Sequence, residues 1–215
     1  MNDKKMPAEA PPAGGASQFG DDAWDQLLSY AGMIEKEGEL RGLVGPRELQ
    51  RLWTRHILNS TAILPFISAG VDVVDVGSGA GFPGIVAAIV RKDLRFLLVD
   101  SMERRVQWLN DVVATLSIPN VEVIHARSED LINAVRADVV TARAVAVLKN
   151  LIPLTMPLLK GGGSLVALKG VRVDNEIDEA ITVLREYNAK WADVHFVTPF
   201  GTREETRVLE IRKSD

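Results

Sequence analysis

Val71-Asp72-Val73-Val74-Asp75-Val76-Gly77-Ser78-Gly79-Ala80-Gly81-Phe82-Pro83-Gly84 runs a short apolar segment into a turn that holds four glycines. The apolar and β-branched positions from Val71 to Val76 predict a parallel strand covered on both faces. Asp75 falls just before the break, where a carboxylate can point into the crevice at the strand's end. Gly77, Gly79, Gly81 and Gly84 strip the turn of Cβ atoms, so backbone amides can approach a ligand closely. Pro83 fixes φ and lacks an N–H, which suits the first turn of a helix predicted from Gly84 to Arg91. Strand, glycine turn and helix in this order form a nucleotide-type cofactor site.

Two cofactor classes compete for it. Gly79-x-Gly81-x-x-Gly84 satisfies the dinucleotide fingerprint. In that fold, however, the first glycine follows the strand directly, and counting from Gly77 puts Phe82 where the third glycine belongs. Asp75-Val76-Gly77-Ser78-Gly79-Ala80-Gly81 matches throughout a different pattern, an acidic residue, one residue, then Gly-x-Gly-x-Gly, and resembles S-adenosylmethionine methyltransferases. The bare structural alternative is that the glycines only make a sharp bend.

A chain of 215 residues suits one domain with an elaboration. No run approaches the roughly 18 apolar residues of a membrane span, and residues 1–20 lack a basic start followed by a hydrophobic core. A cytoplasmic protein with no membrane partner is expected. The absence of cysteine excludes disulfides, thiolate metal sites and a cysteine nucleophile, and with the nucleophile goes covalent pyrimidine-C5 methylation. His56, His125 and His195 are far apart in sequence and form no metal-ligand pattern, so no metal is expected.

Residues 1–20, rich in Pro, Ala and Gly, carry too little large apolar surface to offset ordering entropy and are expected to form a disordered tail. Residues 21–70 read as an N-terminal helical extension and 71–215 as the cofactor-binding domain. In the extension, Trp24, Leu27, Leu28, Ala31 and Ile34 share one face of a helix from Asp21 to Glu39. A second helix is predicted from Pro46 to just before Pro65, with Leu49, Leu52, Trp53, Ile57 and Ala62 or Leu64 on its apolar side. Strands near 71–76, 95–99, 121–124, 137–141 and 164–168 then alternate with helices at 102–116, 150–159 and 173–188, in the manner of a doubly wound sheet. Residues 191–199 and 204–212 close it as a pair joined by a short link containing Gly201, which must be antiparallel because a parallel pair needs a crossover. The expected fold class is α/β and Rossmann-like, a seven-stranded, mostly parallel sheet with an antiparallel last strand.

Asp100 ends the second strand, where open α/β folds place a carboxylate against ribose hydroxyls; the alternative is a cap on the next helix. Ser128-Glu129 follows the third strand and belongs at the same edge, placed to meet an adenine amine or, again, to cap a helix.

Four segments together, Asp75 to Gly84, Arg55-His56-Ile57-Leu58-Asn59-Ser60, Thr141-Ala142-Arg143-Ala144-Val145 and Leu165 to Gly170, resemble the bacterial glucose-inhibited division protein B family over about residues 21–213. The resemblance implies a class I methyltransferase that moves the methyl of S-adenosylmethionine to guanine N7 in 16S ribosomal RNA, with that RNA or the small ribosomal subunit as partner and a monomeric enzyme. Carried over by position, Gly77, Gly79, Phe82, Asp100, Ser128, Glu129 and Arg143 are cofactor contacts, alongside Asp75. The chain departs from the family at Arg41-Gly42-Leu43-Val44-Gly45, where many members have an Asn-Leu-Thr-type segment, and at Asn59, where Asp is common.

Guanine N7 has an in-plane lone pair and no proton to lose, so its methylation needs neither a strong general base nor a covalent nucleophile. Thr141-Ala142-Arg143-Ala144 also lacks the Asn- or Asp-Pro-Pro-aromatic segment usual in methylation of exocyclic amines. Arg143 is the leading candidate near the transfer centre, able to fork onto guanine O6 or a phosphate; the alternative is a salt bridge with Asp75 or Glu129. His56 is a second catalytic candidate or a packed helix histidine. A formal net charge of -4 offers no global field for RNA. Arg47, Arg51 and Arg55, recurring every four residues, and Lys169 near the carboxyl edge are the local candidates. On residues alone, RNA and small-molecule substrates both stay open.

Overall fold

The computed structural model describes residues 8–215. Its strands are β1 (Asp72–Val76), β2 (Arg95–Asp100), β3 (Val121–His125), β4 (Ala137–Arg143), β5 (Leu159–Lys169), β6 (Ala189–Val197) and β7 (Thr206–Lys213). They form one sheet in the order β3-β2-β1-β4-β5-β7-β6. Strands β1 to β5 are parallel to one another, and β7 runs antiparallel to both β5 and β6. The chain order reverses at β1, flanked by β2 and β4, so the loops leaving β1 and β4 part at the carboxyl edge and open a crevice between them.

Each face of the sheet buries its own core. One is covered by α2 (Asp21–Glu37), the helical residues 48–66, α4 (Gly84–Val90) and α5 (Glu103–Thr115), the other by α6 (Leu148–Thr155) and α7 (Val173–Glu186). The period of two along β1 divides its side chains accordingly: Val73 joins the first core, Val74 and Val76 the second.

Three expectations are corrected. Residues 8–20 are no loose tail: α1 (Gly15–Phe19) precedes α2, Phe19 stacks on Trp24 and meets Phe200 edge-on, and Glu9 accepts hydrogen bonds from the Thr54 amide (2.9 Å) and hydroxyl (3.2 Å). Aromatic contacts made far along the chain order a segment whose own composition could not. The rest of the expected tail, residues 1–7, lies outside the described residues.

The second helix is not uniform. Glu48–Arg51 is 3₁₀, Leu52–Ile57 is π, α3 (Leu58–Ser60) is one α turn, and Thr61–Phe66 returns to 3₁₀. Widening to π brings Leu52, Trp53, His56 and Ile57 all into the interior. The Ser60 hydroxyl donates to the His56 carbonyl at 2.6 Å and Pro65 lacks a donor, so the regular ladder is not sustained. Finally, β5 begins at Leu159 instead of near 164 and carries Gly161, Gly162 and Gly163 as an irregularity between its pairings to Ala137 and Val139.

Candidate active site

After β1 the chain folds back over the end of β2. The Gly77 and Ser78 amides donate to the Val99 carbonyl (2.8 and 3.1 Å), and the Gly79 amide donates to Asp100 Oδ2 (2.9 Å). The Ala80 carbonyl accepts two buried bonds, from the Tyr30 hydroxyl (2.7 Å) and Trp108 Nε1 (2.9 Å). An α2 side chain therefore fixes the apex of the glycine turn. Gly77 is at φ +68°, and a Cβ there would meet Val145 at 2.8 Å, so the chain after β4 packs directly on the turn.

Beside this turn is a crevice of about 360 Å³ lined by Val76, Gly77, Val99, Asp100, Arg105, Ser128, Glu129 and Val145, among others. Its size falls in the roughly 300–1,000 Å³ range of small-molecule sites. It brings together four of the predicted cofactor residues, Gly77, Asp100, Ser128 and Glu129. Asp100 is 3% exposed; its Oδ1 accepts from the Met102 amide (2.9 Å) and Arg105 lies 3.6 Å from Oδ2. Two carboxylates, a bare backbone turn and walls of valine fit a ligand with ribose hydroxyls, an amine-bearing base and a cationic centre, as in S-adenosylmethionine.

The four other predicted contacts, Gly79, Phe82, Asp75 and Arg143, lie outside the lining of the crevice. Gly79 uses its amide on Asp100. Phe82 turns toward the N-terminal layer, its ring 5.6 Å from Tyr30, 5.1 Å from His56 and 4.8 Å below the Arg143 guanidinium carbon. Asp75 shares the sheet face of Val73 and is fully buried under α4, accepting from the Gly84 amide (3.2 Å) and the Thr141 hydroxyl (2.9 Å). Its carboxylate shapes the turn and does not enter the crevice.

Burial pushes the Asp75 carboxyl up from 3.8 to about 6, against the bonds from Thr141, Ser78 and Gly84. Because the folded value is raised, the stabilisation is complete below the unfolded value and is lost as pH rises through about 6. A shift of this size is worth about 3 kcal/mol. Wild type is thus expected to gain stability relative to Asp75→Asn as pH falls from about 7.5 to about 5. Urea unfolding of both proteins across that window checks it, and parallel pH profiles would contradict it.

A larger cleft of about 770 Å³ opens on the other side of the residues after β4, lined by Glu48, Arg51, Arg55, His56, Arg143 and Lys169 among others. Arg143 donates from Nη1 to the Arg55 carbonyl (3.1 Å) and from Nη2 to His56 Nδ1 (2.8 Å). The expected alternative, a salt bridge to Asp75 or Glu129, is not found among the described residues; burial lowers the guanidinium to about 10, leaving it charged at neutral pH. His56 is 9% exposed, and Glu48 Oε2 lies 2.8 Å from its Nε2. A guanidinium only donates and a carboxylate only accepts, so His56 carries its proton on Nε2 and is neutral. Burial and the Arg143 charge hold its pKa down to about 4. Both ring nitrogens are engaged, so His56 has no site free to take a proton.

The basic stripe is largely neutralised. Arg51 pairs with Glu204 (2.8 Å) and Arg55 with Glu48 (3.3 Å), while Arg47 is exposed outside the cleft lining. Lys169 lines the cleft, but its side chain is 8% exposed, pairs with Glu176 and donates to the Ala146 carbonyl. Lys160 pairs with Asp72 and Asp138 at the opposite end of β1 and β4. Sequence reasoning gave no role to Tyr30, Glu48 or Trp108, whose partners are fixed only by the tertiary fold. Among the described residues no cluster of three or more His, Cys, Asp or Glu could hold a metal ion, and no helix is long and apolar enough to cross a membrane.

This arrangement has close relatives. The family described as rRNA small subunit methyltransferase G matches residues 23–204. The chain is 46% identical over 201 residues to the ribosomal RNA small subunit methyltransferase G of Leifsonia xyli subsp. xyli, covering 94% of this chain and 95% of that protein. It is 45% identical over 183 residues to the protein of the same name from Clavibacter sepedonicus, covering 85% and 86%. Among solved structures, M. jannaschii TYW2 in complex with AdoMet aligns with a TM-score of 0.58 at 17% identity, over 75% of this chain and 77% of that one. An rRNA methylase from Streptococcus thermophilus aligns with a TM-score of 0.51 at 16% identity, over 74% and 95%. At such identities the structures share the fold alone, whereas the sequence matches run through the glycine turn, the His56 segment and Arg143: the chain belongs to the rRNA small subunit methyltransferase G family.

Proposed function

We propose that this protein transfers a methyl group from S-adenosylmethionine to N7 of a guanine in 16S ribosomal RNA. The observation that carries this reading is the meeting of two cavities at one point: Ala144 and Val145 line both the crevice and the larger cleft. Ala144, at φ +55°, turns the chain there. Gly77, Asp100, Ser128 and Glu129 would hold the cofactor, which supplies an electrophilic methyl on a sulfonium. The cleft would take the base, beside the partition that Ala144 and Val145 form between the two cavities.

Arg143 stands at that partition with two N–H groups engaged and the others free to donate. Guanine presents O6 and N7 as acceptors, whereas adenine presents an amine at position 6, so an all-donor group favours guanine. No residue is required to remove a proton, which agrees with a neutral, fully engaged His56. Because N7 lies in the deep, narrow major groove of A-form RNA, the guanine enters unstacked. Arg51 and Arg55 line the entrance and can exchange their exposed ion pairs, worth little in water, for RNA phosphates.

Incubation with labelled S-adenosylmethionine and 16S RNA, alone or in small subunits, should yield N7-methylguanosine at one position. Label on an adenine or an exocyclic amine, or on no RNA at all, would overturn this assignment. The site is expected to be absent from RNA of cells lacking the protein.

A further inference from the structure

The Arg143 guanidinium is aimed by groups from other parts of the chain. It lies over the Phe82 ring and bonds the Arg55 carbonyl and His56 Nδ1; behind His56 stands Glu48, bonded to Nε2. The three side chains form a line with one proton arrangement: carboxylate accepting from Nε2–H, Nδ1 accepting from the guanidinium. On the functional reading of Arg143 given above, we infer that Glu48 is a positioning residue for methyl transfer, acting through the tautomer of His56 to hold the Arg143 fork toward the partition between the two cavities.

The geometry leaves His56 little alternative while Glu48 is present. Its charged neighbours are Glu48 and Arg55 from its own segment and Arg143 from β4, and Phe82 covers it from the glycine turn. If the Nε2 acceptor is removed, the imidazole is free to carry its proton on Nδ1, where it opposes an N–H of Arg143. The guanidinium must then swing away, and a misplacement of about 1 Å near a reacting centre can cost on the order of 100-fold in rate. Glu48→Gln retains an acceptor oxygen and should retain the tautomer. It also loses the Glu48–Arg55 pair, whose side chains are 37% and 55% exposed, a contact of little weight.

The test combines nitrogen NMR of ¹⁵N-histidine protein with steady-state kinetics. The His56 signals are assigned by their loss in His56→Gln, which is feasible with His125 and His195 as the other two histidines. Wild type and Glu48→Gln should show a neutral ring protonated at Nε2 at neutral pH, and Glu48→Ala a mixture of tautomers. Glu48→Ala should lose on the order of 100-fold in kcat, with the KM for S-adenosylmethionine unchanged and Glu48→Gln close to wild type. A purely structural role would leave the tautomer unmoved and would not be rescued by Gln. A wild-type ring protonated at Nδ1, or charged at neutral pH, overturns the inference, as does wild-type kcat in Glu48→Ala. Should Glu48→Ala fail to fold, the wild-type tautomer and the Gln variant still decide. The NMR arm uses no substrate; a protein with the expected tautomer that methylates no RNA would overturn the functional reading and the role inferred from it, while leaving the hydrogen-bond line established.

Discussion

Arg143→Ala is expected to lower kcat/KM for RNA methylation by on the order of 100-fold while changing the affinity for S-adenosylmethionine little. The separation follows from where the side chain lies. Arg143 lines the large cleft and is absent from the lining of the cofactor crevice. Its fork is held by the Arg55 carbonyl, His56 and Phe82, none of which lines that crevice. Discrimination between guanine and adenine at the target position should fall by about 1 to 3 kcal/mol. Arg143→Lys restores a charge without the planar fork and should recover binding better than rate. Calorimetric titration with S-adenosylmethionine beside turnover on 16S RNA measures both quantities. If cofactor affinity falls as far as kcat/KM, Arg143 is a cofactor ligand, as the family resemblance also implies.

Gly81→Ala should damage the glycine turn through backbone strain and overpacking together. Gly81 is at φ +110°, and a Cβ there would stand 2.6 Å from the Tyr30 hydroxyl and 2.7 Å from Ile85 Cγ1. Backbone strain of roughly 1–2 kcal/mol adds to overpacking of roughly 1–3 kcal/mol. The displaced group would be Tyr30, whose hydroxyl holds the Ala80 carbonyl, so the turn loses its anchor and cofactor affinity falls with stability. Gly79→Ala is the control: φ is +58°, and the nearest atom, the Gly77 carbonyl oxygen, is 3.7 Å away, so only the backbone term applies. Chemical denaturation and cofactor titration of both variants check this, and equal losses would show that space around Gly81 is not what matters.

The parts of this protein read most directly from its sequence are those built from local repetition. The valines of β1 and the glycines after it fix a strand-turn-helix unit, and the alternation downstream fixes the parallel sheet and its reversed β7. Asp100, Ser128 and Glu129 followed because the carboxyl ends of β2 and β3 must lie beside the end of β1. Asp75 shows the limit of this reasoning: position along a strand was legible, but its face was set by the pleat, which aims it at the amide of Gly84. The Glu48–His56 contact lay further out of reach. Eight residues on a regular α-helix span about 12 Å, and it is the break at Arg51, at φ -133° and ψ 25° between the 3₁₀ and π segments, that lets the two side chains meet at 2.8 Å. Residues 8–20 were misread for a related reason, since the partners that order them, Trp24, Thr54 and Phe200, are distant in sequence or carry no local signal.

The large cleft is walled by segments far apart in the sequence. Arg51 meets Glu204, Asn59 donates to the Thr206 hydroxyl at 2.6 Å, and a Cβ at Gly201 would strike Pro12 at 2.8 Å. A growing polypeptide leaves the ribosome from its amino end, and domains complete themselves as units. The cofactor crevice is lined by residues no later than Leu154, whereas the large cleft also takes a wall from Glu204 to Arg207 at the start of β7. A chain lacking β7 would keep the lining of the nucleotide pocket and lose one wall of the place for a base, so the two cavities depend on different lengths of the same chain.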